Sequence, residues 1–335
     1  MTRDILYNED CTLGISRIPS ESIDCILTDP PYLYLKNQKL DKPFDEQTFF
    51  GEVERVLKKE GFIVLFGRGT SFYRWNTILA DLGFNFKEEF IWDKGYCTSP
   101  LMPISRVHET ISIHTKKSGT INKVKVPYLE MKRHDIDSII TDIKRLKTTF
   151  KNTKSLDAVL EFLENNKVVY DRKHTDGFAS SYHKNSFMSV NVEASAIKAI
   201  CNGMNEKSII QTDRTDCETF TKYGISSDKR KTGDRCTNVV QSVQFGMNEK
   251  SIIRQSRDHY NTIHPTQKPV RLLERLLALT TKEGDTVLDP FAGSCSTAKA
   301  CINSGRHYIC YEIDKEYYEN GKKRIDKILS EPKLI

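Results

Sequence analysis

Apolar residues recur along this chain with two periods, and the two alternate. Ile5-Leu6-Tyr7 reads as an edge strand, followed by a short helix over 12–18. Ile23-Asp24-Cys25-Ile26-Leu27 is a brief apolar run of the length a buried strand needs. From Gln47 the period becomes helical. Phe49, Phe50, Val53, Val56 and Leu57 share one face, Lys58 and Lys59 fall in the last turn, and Gly61 is the expected stop. Phe62 to Phe66 are all apolar and predict a buried strand. A turn through Gly67-Arg68-Gly69-Thr70 then leads into a second helical face of Phe72, Trp75, Ile78, Leu79 and Leu82, closed by Gly83. Residues 84–92 and 107–114 read as two more strands. Strand and helix in alternation is βαβ architecture.

The order weakens in the middle of the chain. Residues 116–133 are rich in Lys and Arg, and two amphipathic helices follow, over 135–150 and 155–165. Beyond them the chain is polar and irregular, with Tyr170, Phe178, Tyr182 and Phe187 set among Lys, His, Ser and Asn. The octapeptide Gly-Met-Asn-Glu-Lys-Ser-Ile-Ile occurs at 203–210 and again at 246–253. Two copies are too few for a solenoid. They read either as paired elements facing successive phosphates or as a local duplication. Regular patterning then returns: a helix after Pro269 with Val270, Leu273, Leu276 and Leu277 on one face, strands at 286–289 and 308–311, and a charged helix over 315–329.

Composition narrows the field. The 335 residues exceed one ordinary domain, 38% hydrophobic content is enough for a core, and a formal charge of +6 permits contact with nucleic acid without requiring it. Nine scattered cysteines without a C-x-x-C spacing point to reduced thiols and a cytoplasmic location. Cys201, Cys217, Cys236, His174 and His183 match no standard zinc spacing, so no metal is expected. No apolar stretch has the length of a membrane span or the character of a secretory leader.

The chemistry concentrates at two turns. The first, Thr28-Asp29-Pro30-Pro31-Tyr32, follows the apolar run at 23–27. Consecutive prolines end the strand and fix the backbone, leaving a carboxylate and an aromatic ring at the strand's carboxyl end, where open α/β sheets bind ligands. An ionised carboxylate only accepts hydrogen bonds. Asp29 could take one N–H of an exocyclic base amine and the Pro30 carbonyl the other, aiming the nitrogen lone pair at an electrophile. Tyr32 could stack on a base turned out of the duplex. A plain strand-ending turn would use the same residue types. The second turn, Asp289-Pro290-Phe291-Ala292-Gly293-Ser294, joins a strand to a helix, with Glu312 and Ile313 beyond the next strand. An acid about 20 residues past a glycine turn is placed to bind ribose hydroxyls. The turn lacks the G-x-G-x-x-G that brings backbone up to a pyrophosphate, which favours a nucleoside cofactor without phosphates over a dinucleotide.

Asp-Pro-Pro-Tyr followed far downstream by Asp-Pro-Phe-x-Gly-Ser resembles the β group of S-adenosylmethionine-dependent DNA amino-methyltransferases. His264-Pro265-Thr266-Gln267-Lys268-Pro269 is a third matching motif, in the order that group requires. The resemblance implies a Rossmann-like α/β fold with a mixed, mainly parallel sheet. It divides the chain into a catalytic half (1–115), an inserted target-recognition region (116–258) and a cofactor-binding half (259–335). It assigns catalysis to Asp29, Pro30, Pro31 and Tyr32. It assigns the cofactor S-adenosyl-L-methionine to Asp10, Cys11, Thr266, Lys268, Asp289, Phe291, Ala292, Gly293, Ser294, Glu312 and Ile313. Lys268 and Thr266 would reach the cofactor's carboxylate or ribose. The implied reaction is methylation of adenine N6 in duplex DNA by base flipping, because Asp at the first motif position is the adenine form. Cytosine N4 and a DNA-binding module with a decayed cofactor site are the alternatives. Double-stranded DNA, a second copy of the chain and a cognate restriction enzyme are the implied partners, and a nucleoid-associated place in the cytoplasm follows. Cys295 stands where the family usually has glycine, and its side chain is expected to narrow the cofactor site. His108 and Glu109 are read as structural, since this chemistry needs no separate general base there.

Overall fold

The computed structural model describes residues 2–32, 41–95, 107–149, 154–165, 232–256 and 267–330. These form two compact units, one of Met1–Val124 with Glu249–Ile335 and one of Lys125–Asn248. The first unit therefore keeps residues 116–124 and 249–256, which lie inside the expected inserted region.

The first unit is built on an eight-stranded sheet. Its strands are β1 (Ile5–Tyr7), β2 (Ile23–Thr28), β3 (Leu57–Gly67), β4 (Asn85–Asp93), β5 (His108–Thr115), β8 (Ile252–Arg254), β9 (Thr286–Asp289) and β10 (His307–Tyr311). They lie in the order β1-β10-β9-β2-β3-β5-β4-β8. All neighbours are parallel except the two pairs that β5 makes, with β3 and β4. This is the mixed, mainly parallel sheet the motifs imply.

Period-two alternation assigns each strand residue to a face. Phe62, Val64 and Phe66 of β3 point to one side, with Cys25, Leu27, Val287, Tyr308 and Cys310. Ile63 and Leu65 point to the other, with Ile26, Leu288, Ile309 and Tyr311. Helices cover both faces. On the first side lie α8 (Val270–Thr280), α9 (Ser296–Asn303) and α10 (Lys315–Ser330), contributing Leu272, Leu273, Leu276, Ala298 and Ile325. On the second lie α1 (Cys11–Ile15), α2 (Glu46–Val56) and α3 (Gly69–Asp81), contributing Ile15, Phe49, Phe50, Val53, Trp75 and Leu79. A sheet covered on both sides is why its central strands are nearly continuous in apolar residues. Each large side chain buried here stabilises the unit by about 1.5–3 kcal/mol.

One boundary differs from the sequence expectation. Helix α2 stops at Val56, and Lys58, Lys59 and Gly61 lie within β3 instead of closing the helix. Tertiary pairing decides this. Leu57 pairs with Ile23, and the carbonyls of Lys59 and Gly61 accept from Lys117 N (2.9 Å) and Lys116 N (3.0 Å). Lys58 Nζ also reaches Asp24 Oδ1 at 2.5 Å.

In the second unit β6 (Lys125–Val126) pairs antiparallel with β7 (Met247–Asn248). Around them stand α4 (Tyr128–Lys132), α5 (Ile136–Thr149), α6 (Lys154–Asn165) and α7 (Thr232–Phe245). Ile140, Leu160 and Val239 are buried there, and buried Asp142 accepts from the Tyr128 hydroxyl and from Lys132 and Arg145. The second copy of the octapeptide supplies β7 and the start of β8, with Ile253 fully buried against β4. The first copy lies outside the described residues.

Candidate active site

The carboxyl ends of β2, β9 and β10 meet at one place. The crossover after β2 runs through α2, on one face of the sheet, and the crossover after β9 runs through α9, on the other. Adjacent strands whose connections part in this way leave a crevice at their carboxyl ends. A cavity of about 360 Å³ occupies it, within the range of small-molecule sites.

The first turn enters this cavity from β2. Asp29, Pro30, Pro31 and Tyr32 all line it. Tyr32 is fastened from behind: its carbonyl accepts from Ser71 Oγ (2.7 Å) in the first turn of α3, and its ring lies 6.1 Å from that of Trp75. Its hydroxyl donates to Asp29 Oδ1.

The second turn enters from β9. Asp289, Phe291, Ala292, Gly293 and Ser294 line the same space. Gly293 has a φ of 49°, in the left-handed region that glycine adopts without strain. Its N–H donates to Glu312 Oε2 (2.7 Å), and Asp314 N donates to Oε1 (2.8 Å), so the acid at the end of β10 and the glycine turn fix each other. Burial pushes the Glu312 carboxyl above its ordinary value, against the pull of these N–H groups. Asp289 is pushed up to about 7, first by burial, with Asp29 and Glu312 adding to the effect; Thr297 Oγ1 (2.5 Å) and Phe291 N (3.1 Å) donate to it and oppose it.

Asp10, Cys11 and Ile313 line the rim. Asp10 Oδ1 caps α1 by accepting from Thr12 N (2.8 Å) and Thr12 Oγ1 (2.6 Å). The capping role therefore uses one oxygen of a carboxylate that also faces the cavity. Burial pushes the Cys11 thiol up to about 12, so it is an apolar wall and not a nucleophile. Ile313 is 64% exposed, an apolar side chain presented to whatever enters. Carboxylates at Asp10, Asp289 and Glu312, with Phe291 and Ile313 as apolar walls, could hold a nucleoside that carries positive charge. They would repel a pyrophosphate.

Two positions behave differently from the sequence expectation. Lys268 lines the cavity on the side of the first turn: its Nζ lies 2.6 Å from Asp29 Oδ2 and 3.0 Å from Glu109 Oε2. Glu109 is buried, lines the cavity too, and receives Lys94 at 3.2 Å on its other oxygen. Burial alone would lower the Lys268 pKa; the carboxylates of Asp29 and Glu109 outweigh it and hold the ammonium above the ordinary lysine value. Cys295 does not narrow the site. It adopts a φ of 57° at the cap of α9 and turns its sulfur to α10, where a Cβ placed on Gly321 would come within 2.5 Å of it. Thr266 lies outside the described residues, as do Lys36 and Lys39 of the loop after Tyr32. Lys42, from the same loop, lines the cavity with Phe44, whose ring packs 5.3 Å from Phe291.

A family model described as DNA methylase matches residues 23–323. The DNA adenine methyltransferase YhdJ of Escherichia coli (strain K12) is 49% identical over 69 residues, 21% of this chain and 23% of its own length. The type II methyltransferase M2.DpnII of Streptococcus pneumoniae is 48% identical over 63 residues, 19% of this chain and 24% of its own. Each match thus spans about a quarter of the relative. Among solved structures, the cytosine-N4-specific PvuII DNA methyltransferase superposes with a TM-score of 0.52 at 14% identity, covering 100% of this chain and 89% of that one. At that identity the likeness is one of fold.

Proposed function

The chain belongs to the DNA methylase family whose model spans residues 23–323, and from that premise we propose that it methylates the exocyclic N6 amine of adenine in duplex DNA, with S-adenosyl-L-methionine as the methyl donor. One observation carries the reading: the Asp29 turn and the Asp289–Glu312 turn pair open on a single cavity from neighbouring strands. An amine held by the first would lie beside a cofactor held by the second. Asp as the first motif residue supports adenine, and the name of the Escherichia coli relative agrees with it.

When bound, the cofactor supplies an electrophilic methyl group on a cationic sulfur. Glu312 would hold the ribose hydroxyls, with Gly293 letting the backbone come close; Phe291 and Ile313 would flank the adenine ring. Asp10, Cys11, Ala292 and Ser294 would complete the walls, and Asp289 would face the positive charge. A base amine is a poor nucleophile because its lone pair is delocalised into the ring. Asp29 accepts one N–H and the Pro30 carbonyl the other, which frees the lone pair; Pro31 keeps that carbonyl in place. Tyr32 stacks on the flipped base. As nitrogen gains the methyl group it must lose one proton, and the Asp29 carboxylate that holds its N–H would take it. The rate gain comes chiefly from orientation and from charge placed where the transition state needs it.

Double-stranded DNA is the proposed substrate, and the second unit, within the expected inserted region 116–258, is the proposed target reader. A second copy of this chain and a restriction enzyme of the same specificity are the candidate protein partners. A protein with this work belongs in the cytoplasm beside the nucleoid. The deciding experiment is incubation with duplex DNA and methyl-labelled S-adenosylmethionine, digestion to nucleosides and identification of the labelled one. Label in N6-methyladenine is expected. Label in N4-methylcytosine would keep the mechanism and correct the substrate, and absence of label from DNA would overturn the reading.

A further inference from the structure

The Lys268 ammonium has three N–H donors. Its Nζ forms ion pairs with Asp29 Oδ2 at 2.6 Å and Glu109 Oε2 at 3.0 Å. Among the described residues its ion-pair partners are these two carboxylates, fewer than its donors. Around the nitrogen stand the rings of Phe66, Trp92 and Tyr32, with centroids 5.0, 5.8 and 6.0 Å away. The side chain is only 8% exposed, yet it borders the cavity beside the catalytic carboxylate. A ligand that brings an acceptor to this corner of the cavity would meet an ammonium already held in place by two carboxylates.

Resting on the proposed function, we propose that Lys268 reads the flipped base: it donates to the ring nitrogen next to the amine-bearing carbon while Asp29 accepts from the amine. The two reading atoms are held 2.6 Å apart, an acceptor beside a donor. That is the pattern a carboxamide uses when it bonds an amine and a ring nitrogen of adenine together. Adenine N1 and cytosine N3 are both acceptors next to an amine. Guanine N1 and thymine N3 carry hydrogen, so each would point a donor at the fixed ammonium and leave two donors facing each other. The site would then admit amino bases with a free ring nitrogen and exclude the other two. Glu109 and Lys94 act as positioning residues: Glu109 holds Lys268 from the far side, and Lys94, 3.2 Å from Glu109, closes the quartet with no net charge. Lys268 therefore belongs to base recognition, not to the cofactor.

The test pairs a substrate atom with a protein atom. Once sequencing of treated DNA has located the methylated site, two short duplexes are made, with adenine or 1-deazaadenine as the target; the second replaces the ring nitrogen by C–H. Single-turnover rates are compared for the wild type, Lys268→Met and Lys268→Gln, the last keeping a donor without the charge. The wild type is expected to prefer adenine by about 10- to 100-fold, the worth of one hydrogen bond to a charged group. Lys268→Met should bring that ratio near one, and Lys268→Gln should restore part of it. Calorimetry should show the affinity for S-adenosylmethionine within about threefold of wild type in both variants. A wild-type ratio near one overturns the inference even if neither variant folds. So does a ratio that survives in Lys268→Met, or a cofactor affinity lowered tenfold or more by it. If the wild type labels no DNA at all, the underlying function fails; if it labels adenine but ignores the deaza change, this inference alone fails.

Discussion

At the scale of single residues, Asp29 and Asp289 face one cavity with different electrostatic burdens. Asp29 has the Lys268 ammonium beside it. Replacing Asp29 with Ala should lower the rate of transfer by on the order of 10²- to 10³-fold, the usual cost of losing one well-placed polar group at a reacting centre. The affinity for S-adenosylmethionine should stay nearly unchanged. Rate and calorimetry on the same preparation check this, and a parallel loss of both would show that the two turns do not divide the work. Among the described residues Asp289 has no such cation, and burial lifts its pKa to about 7. The sign follows from linkage. The folded protein keeps this proton up to about pH 7, whereas the unfolded chain loses it near 3.8. Stability from this group is therefore complete below that lower value, declines as pH rises, and levels off above pH 7. Binding a cation reverses the preference, because the ionised form is the one that attracts it. Affinity for S-adenosylmethionine should rise from pH 6 to pH 8, with most of the gain below about pH 7. Asp289→Asn should flatten the profile, and a wild-type affinity that ignores pH would contradict the assignment. Both aspartates were legible in the sequence, because each sits in a strand–turn segment whose meaning is local. The grouping of Lys94, Glu109 and Lys268 beside Asp29 was not, although the motif marked Lys268 as a site residue. They come from three separate segments, and only the antiparallel placement of β5 between β3 and β4 carries Glu109 to the others. Nothing in the spacing of His108-Glu109 signals it.

Elements show the same contrast between local signals and tertiary ones. The helical faces of α3, α5, α6 and α8 follow from periodicity, since an amphipathic stripe is written within one segment. Gly61 misled for the opposite reason. A glycine after two lysines is a good helix stop, but the carbonyls of this stretch find their donors in residues 116–118, which no local pattern foretells. Cys295 is a related case. The left-handed conformation at the α9 cap favours glycine, and a side chain there costs about 1–2 kcal/mol. The thiol is accommodated because α10 presents Gly321 to it. Gly321→Ala should therefore destabilise the protein by about 1–3 kcal/mol through overpacking. Adding Cys295→Gly should recover most of the loss, because the sulfur that the new methyl meets is gone. Urea midpoints of the two single variants and the double variant test the coupling; strictly additive effects would mean that the two positions do not touch.

The whole molecule carries a formal charge of +6, modest for a protein proposed to act on a polyanion. If DNA is the substrate, part of the binding must come from released counterions, and affinity for an arbitrary duplex must fall with salt. Each neutralised phosphate contributes about −0.9 to the log–log slope, so even three contacts should give a slope near −2.7. Anisotropy titrations between 50 and 200 mM salt would measure it without knowledge of the recognition sequence (about a fortyfold loss over that range is expected). A slope near zero would argue against nucleic acid as partner.

The strand order has one more consequence, in the time domain. β2 leads into the Asp29 turn and pairs with β9 through Cys25 and Val287; β1 pairs with β10 through Ile5 and Ile309. At 5–20 residues per second, the roughly 260 residues between β2 and β9 take a ribosome about 13–50 s to make. Throughout that interval the apolar edge of β2 has no neighbour on the cofactor side, an invitation to misassociation that chaperones would have to cover. Translation arrested anywhere before β9 yields a chain with the Asp29 turn and half a cavity. The proposed methyl transfer thus waits on β9 and β10, made long after the turn they would serve.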